Sequence, residues 1–196
     1  MIYAIITLSV ILVGLLLLVW IRKVQFDAVH RNWLDLEDKY GGKIIRSGFA
    51  VRPRYNGKIG ENALSISISA EKREKDKPRQ YYLSVFLKKS SEFNFTVLST
   101  EWIKDRKENK AVELKSRKIA NDKYVIEVKD GELLKKLPVK EIEKLMQEID
   151  PVAYALVSKN GILTERISSN LIADTEFEKI NPLIVGIDKL ADLKLL

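Results

Sequence analysis

Cysteine is absent from this 196-residue chain, and histidine occurs once, at His30. A structural zinc site needs about four nitrogen or sulfur ligands, so none can be built. Disulfides are excluded in any compartment, and a reducing one is compatible with this composition. Any Ser-His-Asp or Cys-His centre would have to use His30. No G-x-G-x-x-G run and no Walker loop is present. Gly57-Lys58-Ile59-Gly60 has the look of a phosphate loop, but it lacks the Gly-Lys-Ser/Thr ending and precedes an alternating strand pattern. It reads as a hairpin turn. The sequence therefore implies no cofactor, no metal and no catalytic residues, and it leans away from an enzyme.

Charge is missing from one place in particular. Residues 2–21, marked by Ile2, Leu12, Trp20 and Ile21, carry no charged side chain. At about 1.5 Å per residue they make a helix of roughly 30 Å, the thickness of a bilayer's hydrocarbon core. Tyr3 and Trp20 stand near the two ends, where amphipathic rings favour the headgroup layer. A cleaved leader would need a basic start, a shorter apolar core and small residues at a cleavage site; none is found. The expectation is a membrane anchor over residues 1–23. Nothing basic precedes it, whereas Arg22, Lys23 and Arg31 follow it. Positive residues stay on the cytoplasmic side, which puts the N-terminus outside and the domain in the cytoplasm of a single-pass cell-membrane protein.

The remainder is rich in Lys, Glu and Ile and has the bias of heat-adapted proteins. The net charge of +7 is uneven: residues 1–118 hold 23 basic and 13 acidic side chains, residues 119–196 hold 11 and 14. The membrane-proximal half is thus the basic one, and anionic lipid is a candidate partner. The surplus concentrates in two charged segments, 71–79 and 104–118. Within them Lys72, Arg73, Lys75, Lys104, Arg106, Lys107 and Lys110 are the candidate contacts to an anionic surface. Nucleic acid is disfavoured, because acids interrupt both segments and no recognition motif accompanies them.

Periodicity organises the rest. Phe26, Val29, Trp33, Leu36 and Tyr40 form one helical stripe over a juxtamembrane helix, 24–42, which Gly41-Gly42 ends. The stripe is a candidate surface for a partner and also fits packing on the domain. From residue 43 the period becomes two. Strands are expected over 43–50, 64–69, 81–87 and from 93 towards 103, with 52–57 as a turn. A charged loop, 104–118, then joins two halves, 43–103 and 119–196. A strand over 123–129, a helix with Val139, Ile142, Leu145, Met146 and Ile149 inward, and a hairpin turning at Asn160-Gly161 follow. Asn181-Pro182 reads as the start of a final helix with Leu183, Ile184, Ile187, Leu190 and Ala191 inward. The pattern is α+β: an N-terminal transmembrane helix, then one soluble domain (43–196) with a mainly antiparallel sheet and helices on one face.

In texture the chain resembles single-pass membrane-anchored proteins of bacteria and archaea with a cytoplasmic α+β domain of unknown function. Trp33-Leu34-Asp35-Leu36, Gly41-Gly42 and Gly57 with Gly60 carry the likeness, as do the strand over 124–128, the helix over 134–149 and the hairpin at Gly161. The resemblance implies a fold and brings no catalytic residues. The functional expectation is a non-enzymatic interaction scaffold or accessory subunit. Its partners are the bilayer and other subunits of a membrane complex, or a second copy of the chain. The alternatives are a tethered enzyme using carboxylates and a divalent metal, or a module binding anionic lipid or nucleic acid.

Overall fold

A computed structural model describes residues 2–70, 80–105 and 115–194. The fold is α+β, with one long apolar helix at the N-terminus and an antiparallel sheet. The helix, α1 (Ile2–Asn32), runs unbroken through the uncharged stretch and on into the domain, and α2 (Leu34–Tyr40) follows after a single turn residue, Trp33. Among the described residues nine strands come next: β1 (Lys43–Ile45), β2 (Arg54–Ile59), β3 (Asn62–Ala70), β4 (Tyr81–Leu87), β5 (Phe95–Ser99), β6 (Lys115–Ile119), β7 (Tyr124–Val128), β8 (Tyr154–Ser158) and β9 (Gly161–Ser168). Helices α3 (Thr100–Asp105), α4 (Gly131–Lys136), α5 (Val139–Glu148), α6 (Leu171–Asp174) and α7 (Phe177–Ala191) complete it.

All pairings are antiparallel, in the order β1-β2-β3-β4-β9-β8-β5-β7-β6. The two halves therefore interleave, since the β8–β9 hairpin of the second sits between β4 and β5 of the first. Alternation decides the faces. On β3, Leu64, Ile66 and Ile68 are buried, while Ser65 and Ser67 look the other way, half-exposed. The buried face meets Trp33 and Leu36, then α5 through Ile142, Leu145 and Met146, and α7 through Ile180, Leu183, Ile184 and Ile187.

The opposite face is less polar than β3 alone predicts. Register aligns Phe86 with Leu163, and Leu163 with Leu156, in one apolar row across β4, β9 and β8. Trp102 of α3 reaches the same face, its ring 5.4 Å from that of Tyr154.

Several boundaries differ from the sequence expectation. The first strand stops at Ile45 rather than at residue 50. Residues 54–57 belong to β2 instead of a turn, and Gly60-Glu61 turn the chain. Gly57 signals something other than a turn here. A Cβ on it would lie 2.0 Å from the hydroxyl of Tyr55, whose side chain lies along the strand over the glycine. The Tyr55 hydroxyl then reaches the carbonyls of Leu36 at 3.1 Å and Gly41 at 2.6 Å, locking α2 to the sheet. Burial away from solvent pushes that phenol up to about 12. Gly42 has φ +87°, and a Cβ there would meet the Asn56 carbonyl oxygen at 2.0 Å, so only glycine lets β1 start against β2.

Thr100 to Ile103 are helical rather than extended, and Lys115 to Lys118 lie in β6 rather than in a loop. The last helix begins at Phe177, not at Pro182, which stands inside it. Asn181 does not cap, because its side-chain oxygen accepts from Lys39 Nζ at 2.8 Å and from the Tyr40 hydroxyl at 2.7 Å.

Candidate functional site

Along α1 the side chains from Ile2 to Ile21, Leu12 and Trp20 among them, are exposed. None of the most apolar 18-residue window of this helix is buried, and the helix is long and apolar enough to cross a membrane. Immediately afterwards the same helix enters the core. Phe26, Val29, Trp33 and Leu36 are between 0% and 3% exposed. The stripe expected as a partner surface is therefore inside the fold and not available to another chain, because the sheet covers it. Tyr40, half-buried, is the exception that reaches the surface, through its bond to Asn181.

Of the residues expected to set topology, Arg22 and Arg31 are exposed, while Lys23 is half-buried and bonds Asp27 at 2.5 Å. Asp27 also accepts from Arg46, on the chain that follows β1. These hydrogen bonds, that of Lys23 first and that of Arg46 next, hold the Asp27 carboxyl down to about 2. Lys23 further lies 5.4 Å over the ring of Phe49, and Arg46 donates to the Phe49 carbonyl at 2.8 Å. One carboxylate thus ties the segment after β1 to α1, just past its apolar stretch.

Of the residues expected to meet an anionic surface, Lys104 is exposed on α3. Lys72, Arg73, Lys75, Arg106, Lys107 and Lys110 lie outside the described residues.

The segment tied down by Asp27 helps enclose a groove of about 790 Å³. Arg22 and Phe26 of α1 form one wall. Ser47, Val51 and Arg52 form the second. The floor is the edge of the sheet: Arg54 and Asn56 from β2, Ser65 and Ser67 from β3. Strand alternation puts these four side chains on the face opposite Tyr55 and Ile66; the core-side residues Ile66, Ile68 and Tyr81 also line the space, so it reaches both sides of the sheet edge. Among the described residues no carboxylate lines the groove. Among the described residues Arg22, Arg52 and Arg54 form no ion pair. Of its lining, Ile45 and Val51 are exposed by 48% and 45%, and Phe49 of the same segment by 57%.

Reading 52–57 as a turn hid this site. The alternation of Arg54, Asn56 and Lys58 with Tyr55, Gly57 and Ile59 was the available signal for a strand with one polar face.

His30 is half-buried on α1 with Nδ1 lacking a hydrogen-bond partner, and no acid-base partner faces it among the described residues. Nor, among those residues, do three His, Asp or Glu side chains gather where they could hold a metal ion. Near β7, Tyr124 donates to Asp150 and accepts from the Val152 amide at 3.2 Å, and burial holds its phenol well above the usual range. Arg166, 5% exposed, donates to the carbonyls of Pro151, Lys179 and Ile149 at 2.9, 3.2 and 3.1 Å. Both residues close helix ends and loops. No family model, curated protein or solved structure matches the chain.

Proposed function

We propose that this protein is a single-pass, membrane-anchored adaptor whose domain sits in the cytoplasm and holds other components of a membrane complex at the bilayer surface. One observation carries the reading. A single helix presents twenty consecutive uncharged side chains with none buried, and its next two turns are part of a packed core. An exposed apolar surface of this extent on a water-soluble particle is unstable against association, and a bilayer satisfies it. The continuity of α1 also speaks against a cleaved leader, because the residues just beyond the apolar stretch already belong to the domain.

Arg22, Lys23 and Arg31 flank the stretch on the domain side only, which favours a domain on the cytoplasmic face. The adaptor role rests on what the fold offers: a rigid mount, a sheet face bearing the partly exposed Phe86–Leu163–Leu156 row, and surface ion pairs.

The test has two arms. Carbonate-washed membranes should retain the full chain, and external protease should spare the domain in intact cells. Mild detergent extraction followed by mass spectrometry should then enrich one or more partner chains, or show a stable homo-oligomer. Release into the carbonate wash, or degradation from outside, overturns the anchor or its orientation. A strictly monodisperse monomer without an enriched partner overturns the adaptor role.

A further inference from the structure

We infer that the groove beside the foot of α1 is a binding site for the phosphate headgroup of an anionic phospholipid. The inference rests on the membrane reading above and adds to it a ligand and a place.

Position comes first. The hydrocarbon core of a bilayer is about 30 Å thick and the whole bilayer about 40–45 Å, which leaves roughly 5–8 Å of headgroup layer on each side. With residues 2–21 filling the core, Arg22 stands about 1.5 Å and Phe26 about 7.5 Å beyond its edge. Both line the groove. The α1 side of the groove therefore lies at the depth of the lipid phosphates.

Chemistry comes second. Three arginines, Arg22, Arg52 and Arg54, line the space, and among the described residues no carboxylate does. Arginine presents a planar fork that matches two phosphate oxygens at once. Ser47, Ser65 and Ser67 add hydroxyls, and the Asn56 side chain adds an amide. These suit the remaining phosphate oxygens and a polyol headgroup. The volume of about 790 Å³ falls inside the common range for ligand sites, about 300–1,000 Å³.

The rim is the third observation and separates a lipid from a soluble phosphate. Val51 of the lining and Phe49 of the same segment are exposed, and the Phe49 ring lies against Lys23 of α1. A site for a free anion has no use for apolar side chains held outward at its entrance. A site for a lipid does, because they can dip into the headgroup and acyl boundary while the arginines hold the phosphate. The Asp27–Arg46 pair fixes that segment against α1, so the rim is already in place before any ligand arrives.

The experiment uses the full chain in neutral dodecyl maltoside micelles and counts bound lipid by native mass spectrometry. Phosphatidylglycerol should bind one per chain at roughly tenfold lower concentration than phosphatidylcholine. The double variant R52Q/R54Q should lose that preference, a change of about tenfold, since it removes two of the basic groups that would meet the anionic headgroup. K43Q/K58Q makes the same charge change on the outer edge of β1 and β2, outside the groove, and should keep the preference. If R52Q/R54Q is misfolded by circular dichroism, S67E replaces it, placing a negative charge on the groove floor with the arginines intact, and should also lose the preference.

Equal binding of both lipids to the unaltered chain overturns the proposal. So does an equal loss in K43Q/K58Q, which would show a diffuse charge effect. Displacement of phosphatidylglycerol by inorganic phosphate at a few millimolar would assign the groove to a soluble anion and overturn the lipid. The anchor is scored separately. All variants should remain in carbonate-washed membranes, because none alters residues 2–21, so loss of the groove and loss of the anchor are read in different fractions.

Discussion

Removing the juxtamembrane helix should unfold the domain, whereas removing the apolar stretch alone should not. Two truncations separate these cases: one beginning at residue 24, the other at residue 43. The first keeps Phe26, Val29, Trp33 and Leu36, and the second deletes all four. Each is at most 3% exposed. Burying such a side chain contributes about 1.5–3 kcal/mol, so the four together supply about 6–12 kcal/mol. The whole stability of a domain is about 5–15 kcal/mol. Deletion also strips the cover from Tyr55 and from the sheet beneath it, and it removes the hydrogen bonds from Lys39 and Tyr40 to Asn181. The chain from residue 24 should give a cooperative thermal transition with mixed α and β circular dichroism. The chain from residue 43 should be aggregated or unfolded at 25 °C. Within the longer chain, Trp33→Ala should remove about 3–5 kcal/mol. For a domain of this size that lowers Tm by roughly 10 °C. A cooperative melt from the chain starting at 43, at a similar Tm, would refute the assignment of this stripe to the core.

Three further outcomes follow from named contacts. Asp27 is held down to about 2 against an ordinary 3.8, so its contribution is full above pH 3.8 and disappears as pH falls through about 2; Asp27→Asn should lower Tm at pH 7 and make no difference near pH 2, measured in the full chain in neutral detergent, which keeps Lys23. Arg166→Met keeps most of the volume but leaves the carbonyls of Pro151, Lys179 and Ile149 without their donor, and should cost about 3 kcal/mol or more in urea unfolding. Gly186 packs against Ile149, where a new Cβ would sit 2.1 Å from Ile149 Cγ2; Gly186→Ala should lose about 1–3 kcal/mol by overpacking in spite of a helix-propensity gain of about 1 kcal/mol, and Ile149→Ala in the same chain should recover part of the loss.

Much of the architecture was legible because its signals are local. Strict alternation over Leu64, Ile66 and Ile68 fixed a strand and its inner face, and the stripe Ile142, Leu145, Met146 fixed the inner face of α5. Lys159 and Asn160 turn the β8–β9 hairpin where the sequence pattern put it. The misread places are those where a residue's usual local meaning is replaced by a contact from far along the chain. Gly57 reads as a turn until the Tyr55 side chain occupies the space over it. Asn181-Pro182 reads as a helix start, yet Ile180 is fully buried on the same face as Ile184 and Ile187, and that packing carries the helix back to Phe177. Neither contact has a sequence signal of its own. The groove was hidden for a related reason. Its arginines lie on α1, on β2 and on the segment between β1 and β2, 32 positions apart from Arg22 to Arg54, and only the return of β2 against β3 brings them to one space.

The junction at residues 22–26 gives these separate features one consequence. A flexible linker between an anchor and a domain lets the domain tumble, so no face of it has a fixed relation to the bilayer. Here no linker exists. α1 runs through the boundary without interruption, and the single break, at Trp33, lies inside the core, where 0% exposure denies it room to hinge. The domain is therefore mounted at one angle to the helix axis. With α1 in the bilayer as proposed, the groove and its apolar rim meet the headgroup layer in every copy. A rigid mount also removes the orientational entropy that each later contact at the surface would otherwise have to overcome. Three arginines and two exposed apolar side chains, weak as separate membrane contacts, then act together because the helix has already placed them.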